Sequence, residues 1–266
     1  MIDVNDLIGI SLDAGREIMR IYASGVDVAV KGDGSPVTEA DERGEAVILK
    51  GLATLYPEIP VVAEESVAAG RVPRTDGAFF LVDPLDGTKE FIGRNGEFTV
   101  NIALIEDGVP TAGAVYAPAM GALYLGSMGG AERLKIADPQ SGEVWARDHI
   151  SVRAAPDELC AIGSRSHGSE ATQRFLADYP IGEFVARGSS LKFCTLAAGE
   201  ADIYPRFGRT MEWDTAAGDA VLRSAGGRVT TTGGANLQYN KRNQTDDSDF
   251  ANPHFIAYAD PSLCRA

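Results

Sequence analysis

Phe79-Phe80-Leu81-Val82-Asp83-Pro84-Leu85-Asp86-Gly87-Thr88 sets four apolar residues directly before two carboxylates. The apolar run fits a buried strand and carries Asp83 to its C-terminal end. Pro84 cannot donate to a ladder and is expected to stop it there. Asp86 follows three residues on, so both carboxylates can point into one cavity. Gly87 lets the backbone approach a ligand closely. The N–H groups of Gly87 and Thr88, as the chain turns toward a helix or helical turn, suit an anion such as phosphate. Carboxylates beside phosphate repel it unless divalent cations stand between them, and all-oxygen ligands suit Mg²⁺. Taken alone, the hexapeptide from Asp83 also reads as a plain turn.

Three more acidic elements keep it company. Glu64-Glu65 follow the short apolar run Val61-Val62-Ala63. Asp41 lies in a helix that Thr38 caps and whose stripe is Val47, Ile48, Leu52 and Leu55; Thr38-x-x-Asp41 also reads as a capping box. Trp213-Asp214 opens a helix containing Ala216, Ala217, Gly218 and Ala220, whose small side chains permit close packing, and Asp214 suits an N-cap as well. Each element alone has an ordinary structural reading.

Outward from these, helical spacing of Leu7, Ile8, Ser11, Leu12, Gly15, Ile18, Met19 and Tyr22 predicts an opening helix. Residues 31–36 are turn-rich. Strands are expected at 61–63, 79–82, 99–105 and 112–116, with Asp107-Gly108 as a turn. Further on come a strand at 159–162, helices at 169–177 and 190–198, a strand from Ala201 to Tyr204 ending at Pro205, and a helix from Asp214 to Ala225 stopped by Gly226-Gly227. Residues 232–253 read as a long polar surface loop. Helices and strands mixed without strict βαβ alternation predict stacked layers. A soft boundary near residue 146 separates residues 1–146, which carry most of the acidic elements, from 147–266, which carry Asp214, within one compact unit.

The net charge of −14 argues against a nucleic-acid polymer or an anionic membrane as partner, though peripheral association stays open. Cys160, Cys194 and Cys264, an odd set without a C-x-x-C pair, point to free thiols. The opening residues lack a basic and apolar leader, and no apolar run approaches a bilayer span, so a cytoplasmic location is expected. His149, His167 and His254 form no H-x-x-H pattern, and neither a C-x5-R loop nor a P-loop is present.

Together Asp41, Glu64-Glu65, Asp83 to Thr88, and Trp213-Asp214 followed after residues 215–225 by Gly226-Gly227 resemble the inositol monophosphatase superfamily in order and spacing. The resemblance covers roughly residues 1–260 and lies nearest to its bacterial 3′(2′),5′-bisphosphate nucleotidases. The matching stretches are Gly34 to Thr38, Asp83 to Ile105, Val115 to Pro118, Ser164 to His167, Gly188 to Cys194, Tyr204 to Gly208 and Trp213 to Gly218. Met211 and Glu212 depart from the pattern, and Glu212 brings an extra charge close to the site.

That resemblance implies a layered α/β/α/β/α sandwich of the sugar-phosphatase type and two or three Mg²⁺ per site. It implies that Glu64, Asp83 and the Leu85 carbonyl hold one ion, that Asp83, Asp86 and Asp214 hold another, and that Glu64 with waters supports a third. Asp41 and Thr88 would orient and deprotonate the attacking water, with Glu64 sharing in catalysis. Glu64, Leu85, Asp86, Gly87, Thr88, Ser189, Ser190, Lys192, Arg206 and Asp214 would contact the substrate. The implied reaction is release of the 3′-phosphate of adenosine 3′,5′-bisphosphate as AMP and phosphate, in sulfur assimilation or nucleotide recycling, with the sulfated analogue as a second substrate. Sensitivity to lithium and a monomer or homodimer are implied too. An inositol or other sugar phosphatase is the alternative. Lys89-Glu90-Phe91, Gly188 to Cys194 and Tyr204-Pro205-Arg206 favour the nucleotidases. Lys192 and Arg206 are the candidates to receive a second phosphate, Arg206 through its planar fork.

Overall fold

Alternation along the strand before Asp83 sorts the interior into layers. Phe79 and Leu81 pack to one side of their sheet, whereas Phe80 and Val82 pack to the other. The structure is a computed structural model that describes residues 2–24, 28–30, 36–164 and 170–264. In chain order its elements are α1 (Asp6–Ser24), β1 (Val28–Val30), β2 (Pro36–Thr38), α2 (Glu39–Leu55), β3 (Val61–Ala63), α3 (Glu64–Ala68), β4 (Phe79–Asp86), α4 (Thr88–Ile92), β5 (Thr99–Glu106), β6 (Val109–Ala117), β7 (Ala122–Ser127), β8 (Gly130–Ile136) and β9 (Val144–Ile150). They continue with β10 (Leu159–Gly163), α5 (Glu170–Leu176), β11 (Ile181–Ala186), α6 (Leu191–Ala197), β12 (Ile203–Arg206), α7 (Glu212–Ser224), β13 (Arg228–Thr231) and β14 (Phe255–Tyr258).

Strands β3 to β9 lie side by side in sequence order as a seven-stranded sheet, with only β3 and β4 parallel. A five-stranded sheet runs β11-β10-β12-β14-β13. Helices α1 and α2 cover the outer face of the large sheet. Helices α6 and α7 fill the space between the sheets. Phe175 and Leu176 of α5 pack on the far face of the small sheet. The result is the expected α/β/α/β/α stack. Position 146 lies within β9, which pairs with β8 from Val144 to Ile150, and one central core draws on both sides of that position.

Several local expectations are corrected. The ladder of β4 does not stop at Pro84: it is interrupted and resumes at Asp86. Strand β12 runs through Pro205 to Arg206, paired with β14, because β10 has stopped pairing at Ile203 and no donor is needed on that side. Helix α7 begins at Glu212, with Met211 as N-cap, so Asp214 is its third residue and not its cap. Residues 232–253 are not simply a surface loop, since Leu237, Tyr239, Phe250 and Ala251 are buried. Cys160 and Cys194 are free and buried, and Cys264 is half-buried. Among the described residues no helix is long and apolar enough to cross a membrane. Residues 31–35, most of the 165–169 segment's resemblance (Arg165, Ser166, His167) and the helix start drawn at Ser169 lie outside the described residues.

Helix α7 approaches the large sheet closely because Gly113 of β6 and Gly126 of β7 stand opposite each other beneath it. A Cβ on Gly113 would come within 2.7 Å of Ala220 Cβ, and one on Gly126 within 2.5 Å of Val221 Cα. Gly113→Val is therefore expected to lower stability by about 1–3 kcal/mol through overpacking. Denaturant unfolding checks this; an unchanged midpoint would mean that α7 can back away from the sheet freely.

Candidate active site

Residues three apart on a regular strand face opposite sides. Asp83 and Asp86 nevertheless share one side, and a bulge is the reason. Asp83 pairs with Asn101 and Asp86 with Thr99, so β4 carries one residue more than β5 across this interval. The extra residue reverses the alternation. Leu85 turns into the core beneath α1 and α2, and Asp86 joins Asp83 on the side of α6 and α7.

Asp83 there meets carboxylates from two other elements. Glu64 opens α3 directly after β3, and Asp214 lies in the first turn of α7. Oxygens of Glu64, Asp83 and Asp214 all lie within 4.8 Å of one another. Burial drives the Asp83 carboxyl well above the ordinary carboxylate range, and the charges of Glu64, Asp86, Asp214 and Asp41 push the same way. Asp214 is raised likewise, by burial first and then by Asp86 and Glu64, against the pull of a 2.8 Å hydrogen bond from Met211 N. Such an all-oxygen, like-charged set fits a hard divalent cation.

Asp86 stands beside this trio, held by hydroxyls. Ser189 Oγ donates to Asp86 Oδ2 at 2.6 Å and Ser190 Oγ approaches the same oxygen at 3.2 Å. Ser190 Oγ also lies 2.8 Å from the Asp214 carbonyl. Ser189 takes a left-handed φ of 54°, a strained choice for a residue with a side chain. Asp41 divides its two oxygens. Oδ2 accepts from Thr38 N at 2.7 Å and Thr38 Oγ1 at 2.8 Å, completing the capping box, while Oδ1 accepts from Thr88 Oγ1 at 3.2 Å. The capping and site readings of Asp41 thus coexist. Gly87, with φ of 92°, makes the turn that puts Thr88 there, and Thr88 Oγ1 lies 3.4 Å from the Leu85 carbonyl.

A cleft opens beside these groups. Its walls include Asp86, Gly87, Ser189, Lys192, Tyr204, Arg206 and Asp214. Lys192 is buried. Its Nζ donates to Ser189 O at 2.6 Å and Arg187 O at 3.3 Å and lies 5.5 Å from the Tyr204 ring centroid. Burial pushes its ammonium down to about 8, opposed by the charge of Asp86. Arg206 Nη2 reaches Arg209 O at 3.4 Å, and its buried Nε meets no acceptor among the described residues. Glu212 points away from the cleft. It is fully buried, accepts from Asn240 N and Lys241 N, and pairs with Lys241 Nζ at 2.7 Å. Its extra charge is thereby answered in the polar loop.

The sequence reading missed the groups that hold the serines. Asn101 Nδ2 donates to Ser190 Oγ at 3.0 Å, Thr99 Oγ1 meets Ser189 Oγ, and Glu97 Oε2 accepts from Gly188 N at 2.7 Å. Thr99 and Asn101 were detectable as polar residues two apart in the otherwise apolar Thr99 to Ile105. Glu97 carried no such mark.

Residues 4–259 match the model of the inositol monophosphatase family. The chain is 46% identical to the 3′(2′),5′-bisphosphate nucleotidase CysQ of Salmonella typhimurium over 91% of its length and 94% of that protein. It is 45% identical to CysQ of Escherichia coli K12 over the same shares. The crystal structure of CysQ from Bacteroides thetaiotaomicron, a bacterial member of the inositol monophosphatase family, superposes with a TM-score of 0.73, at 36% identity and 96% coverage of both chains.

Asp83→Asn tests the repulsion directly. A carboxyl raised in the folded state destabilises the metal-free protein above the unfolded value of about 4, and the penalty disappears as pH falls below it. In EDTA at pH 7 the variant is expected to melt above the wild type, with the gap closing toward pH 4 and the rise in Tm on adding Mg²⁺ abolished. A variant that melts lower in EDTA, or still gains from Mg²⁺, contradicts this.

Proposed function

The chain belongs to the inositol monophosphatase family, and from that premise we propose that it is a Mg²⁺-dependent 3′(2′),5′-bisphosphate nucleotidase that converts adenosine 3′,5′-bisphosphate to AMP and phosphate. The observation that carries the reading is one cleft walled by both kinds of charge. Asp86 and Asp214 line it together with the cations Lys192 and Arg206, and Asp214 is also a member of the cluster with Glu64 and Asp83. Similarity to the CysQ proteins supports the nucleotide over an inositol phosphate, and the sulfated analogue fits the same cleft chemistry.

In this reading Glu64, Asp83 and the Leu85 carbonyl would hold one Mg²⁺, Asp83, Asp86 and Asp214 would hold a second, and Glu64 with waters would support a third. When bound, the ions lower the pKa of water and stabilise charge on the phosphoryl and leaving oxygens. The chain's own groups do the positioning. Asp41 Oδ1 accepts the hydroxyl hydrogen bond of Thr88, so the Thr88 oxygen turns its lone pairs to the attacking water and takes a proton from it as its own hydroxyl proton passes to Asp41. Because Asp41 Oδ2 is anchored in the helix cap, Oδ1 cannot swing away. The backbone around Gly87 and Thr88 seats the phosphate. As water adds to phosphorus the bond to the ribose 3′-oxygen breaks, that oxygen leaves with the bonding pair and takes a proton from solvent water to become the 3′-hydroxyl, and Ser189 and Ser190 keep Asp86 in place meanwhile.

The second phosphate of the nucleotide lies beyond reach of the carboxylate cluster and falls to the guanidinium of Arg206 on the cleft wall, with Lys192 beside it. Arg206→Ala is expected to weaken KM for adenosine 3′,5′-bisphosphate by about 1.5–3 kcal/mol, the worth of a charged hydrogen bond. Adenosine 3′-monophosphate, with no second phosphate to lose, should be nearly unaffected. Phosphate release from both, with inositol 1-phosphate as a comparison, is the measurement. Equal losses on both nucleotides would make Arg206 structural, and a preference for inositol 1-phosphate would refute the nucleotidase.

A further inference from the structure

Glu45 lies one turn beyond Asp41 on α2 and is 3% exposed, a carboxylate buried away from the cleft. Its Oε2 accepts from Glu65 N at 2.7 Å and its Oε1 from Ser66 Oγ at 2.6 Å. Both donors belong to the first turn of α3, the element that Glu64 opens. Helix α3 has only five residues, and its N-cap, Ala63, has no side chain that can bond the free N–H groups. So short a helix does not hold its own geometry. Glu45 supplies from a neighbouring helix the acceptor that the local sequence lacks.

Residues four apart on a helix are stacked neighbours. Helix α2 thus presents two carboxylates in line, Asp41 to Thr88 and Glu45 to the backbone behind Glu64. Burying a carboxylate is unfavourable unless its oxygens are well bonded. Here both are, and what they bond is the carrier of one member of the acidic cluster. We propose that Glu45 is a positioning residue: it fixes the first turn of α3 so that Glu64 is presented to Asp83 and Asp214 at cation-binding distance. The inference rests on the reading that this trio holds Mg²⁺.

Calorimetric titration of Mg²⁺ into substrate-free protein tests it, with Tm in EDTA recorded beside it. Glu45→Ala is expected to weaken Mg²⁺ binding by about 10- to 100-fold, the usual effect of removing a residue that orients a ligand. Glu45→Gln keeps an acceptor for Glu65 N and should restore most of the affinity. A Glu45→Ala protein that binds Mg²⁺ like wild type, even with a lowered Tm, overturns the proposal. So does a Gln variant as weak as the Ala variant, because the effect would then be one of charge. If Glu45→Ala does not fold, Ser66→Ala, which removes one of the two bonds, must weaken binding in the same direction; unchanged binding overturns the proposal. Wild-type protein that binds no Mg²⁺ would overturn the reading of the trio and this inference with it, whereas normal wild-type binding confines any failure to Glu45.

Discussion

Three carboxylate groups with oxygens within 4.8 Å of one another repel, and the burial of Asp83 and the partial burial of Asp214 thin the water that would soften that repulsion. A chain folding for stability alone would not gather them. Each arrives on a different element, Glu64 on α3, Asp83 on β4 and Asp214 on α7, so the cluster exists only when the large sheet and the central helix layer are assembled. Proton uptake relieves the repulsion at low pH. Near neutrality a divalent cation between the groups would do so better, and would leave them able to receive a phosphate.

Close packing supplies the rigidity that this arrangement needs. The facing glycines of β6 and β7 let α7 settle onto the sheet, which sets the height of Asp214 above β4. At the start of the same helix, Asn252 Nδ2 donates to Met211 O at 2.7 Å and Thr215 Oγ1 at 3.0 Å, and Glu212 grips the backbone at Asn240 and Lys241. The polar loop is therefore a clamp on the N-terminus of α7. On the opposite side of the cleft, the strained Ser189 is held by Lys192 through its carbonyl and by Thr99 through its hydroxyl. Ser189 and Ser190, which border the carboxylates of the cleft, are each bonded more than once.

Much of this was legible in the sequence because the acidic elements sit near strand ends or helix starts, and those places are marked by Gly87, Thr38 and the apolar runs before the carboxylates. The layer order followed from the resemblance once the elements were in place. Strands β9 and β11 left no trace, since both lie at sheet edges, no residue of either is fully buried, and so they show no apolar alternation. Strands β13 and β14 have four residues each and are separated by the long polar loop. The sharing of one face by Asp83 and Asp86 depends on a single extra residue in β4, for which Pro84 was the sole local sign. Contacts such as Glu97 to Gly188 and Asn101 to Ser190 join residues about ninety positions apart and have no sequence signature.

The repulsion among the buried carboxylates is most directly measured through protons. Mg²⁺ binding to the substrate-free protein, followed calorimetrically in buffers of different ionisation enthalpy, reports how many protons leave as the ion enters. Carboxyls held above their usual range by burial and by one another must release protons on binding, so affinity should strengthen as pH rises above the ordinary carboxylate range. Binding that releases no proton and does not change with pH would mean that Asp83 and Asp214 are already ionised without the metal, and that their mutual repulsion does not govern the site.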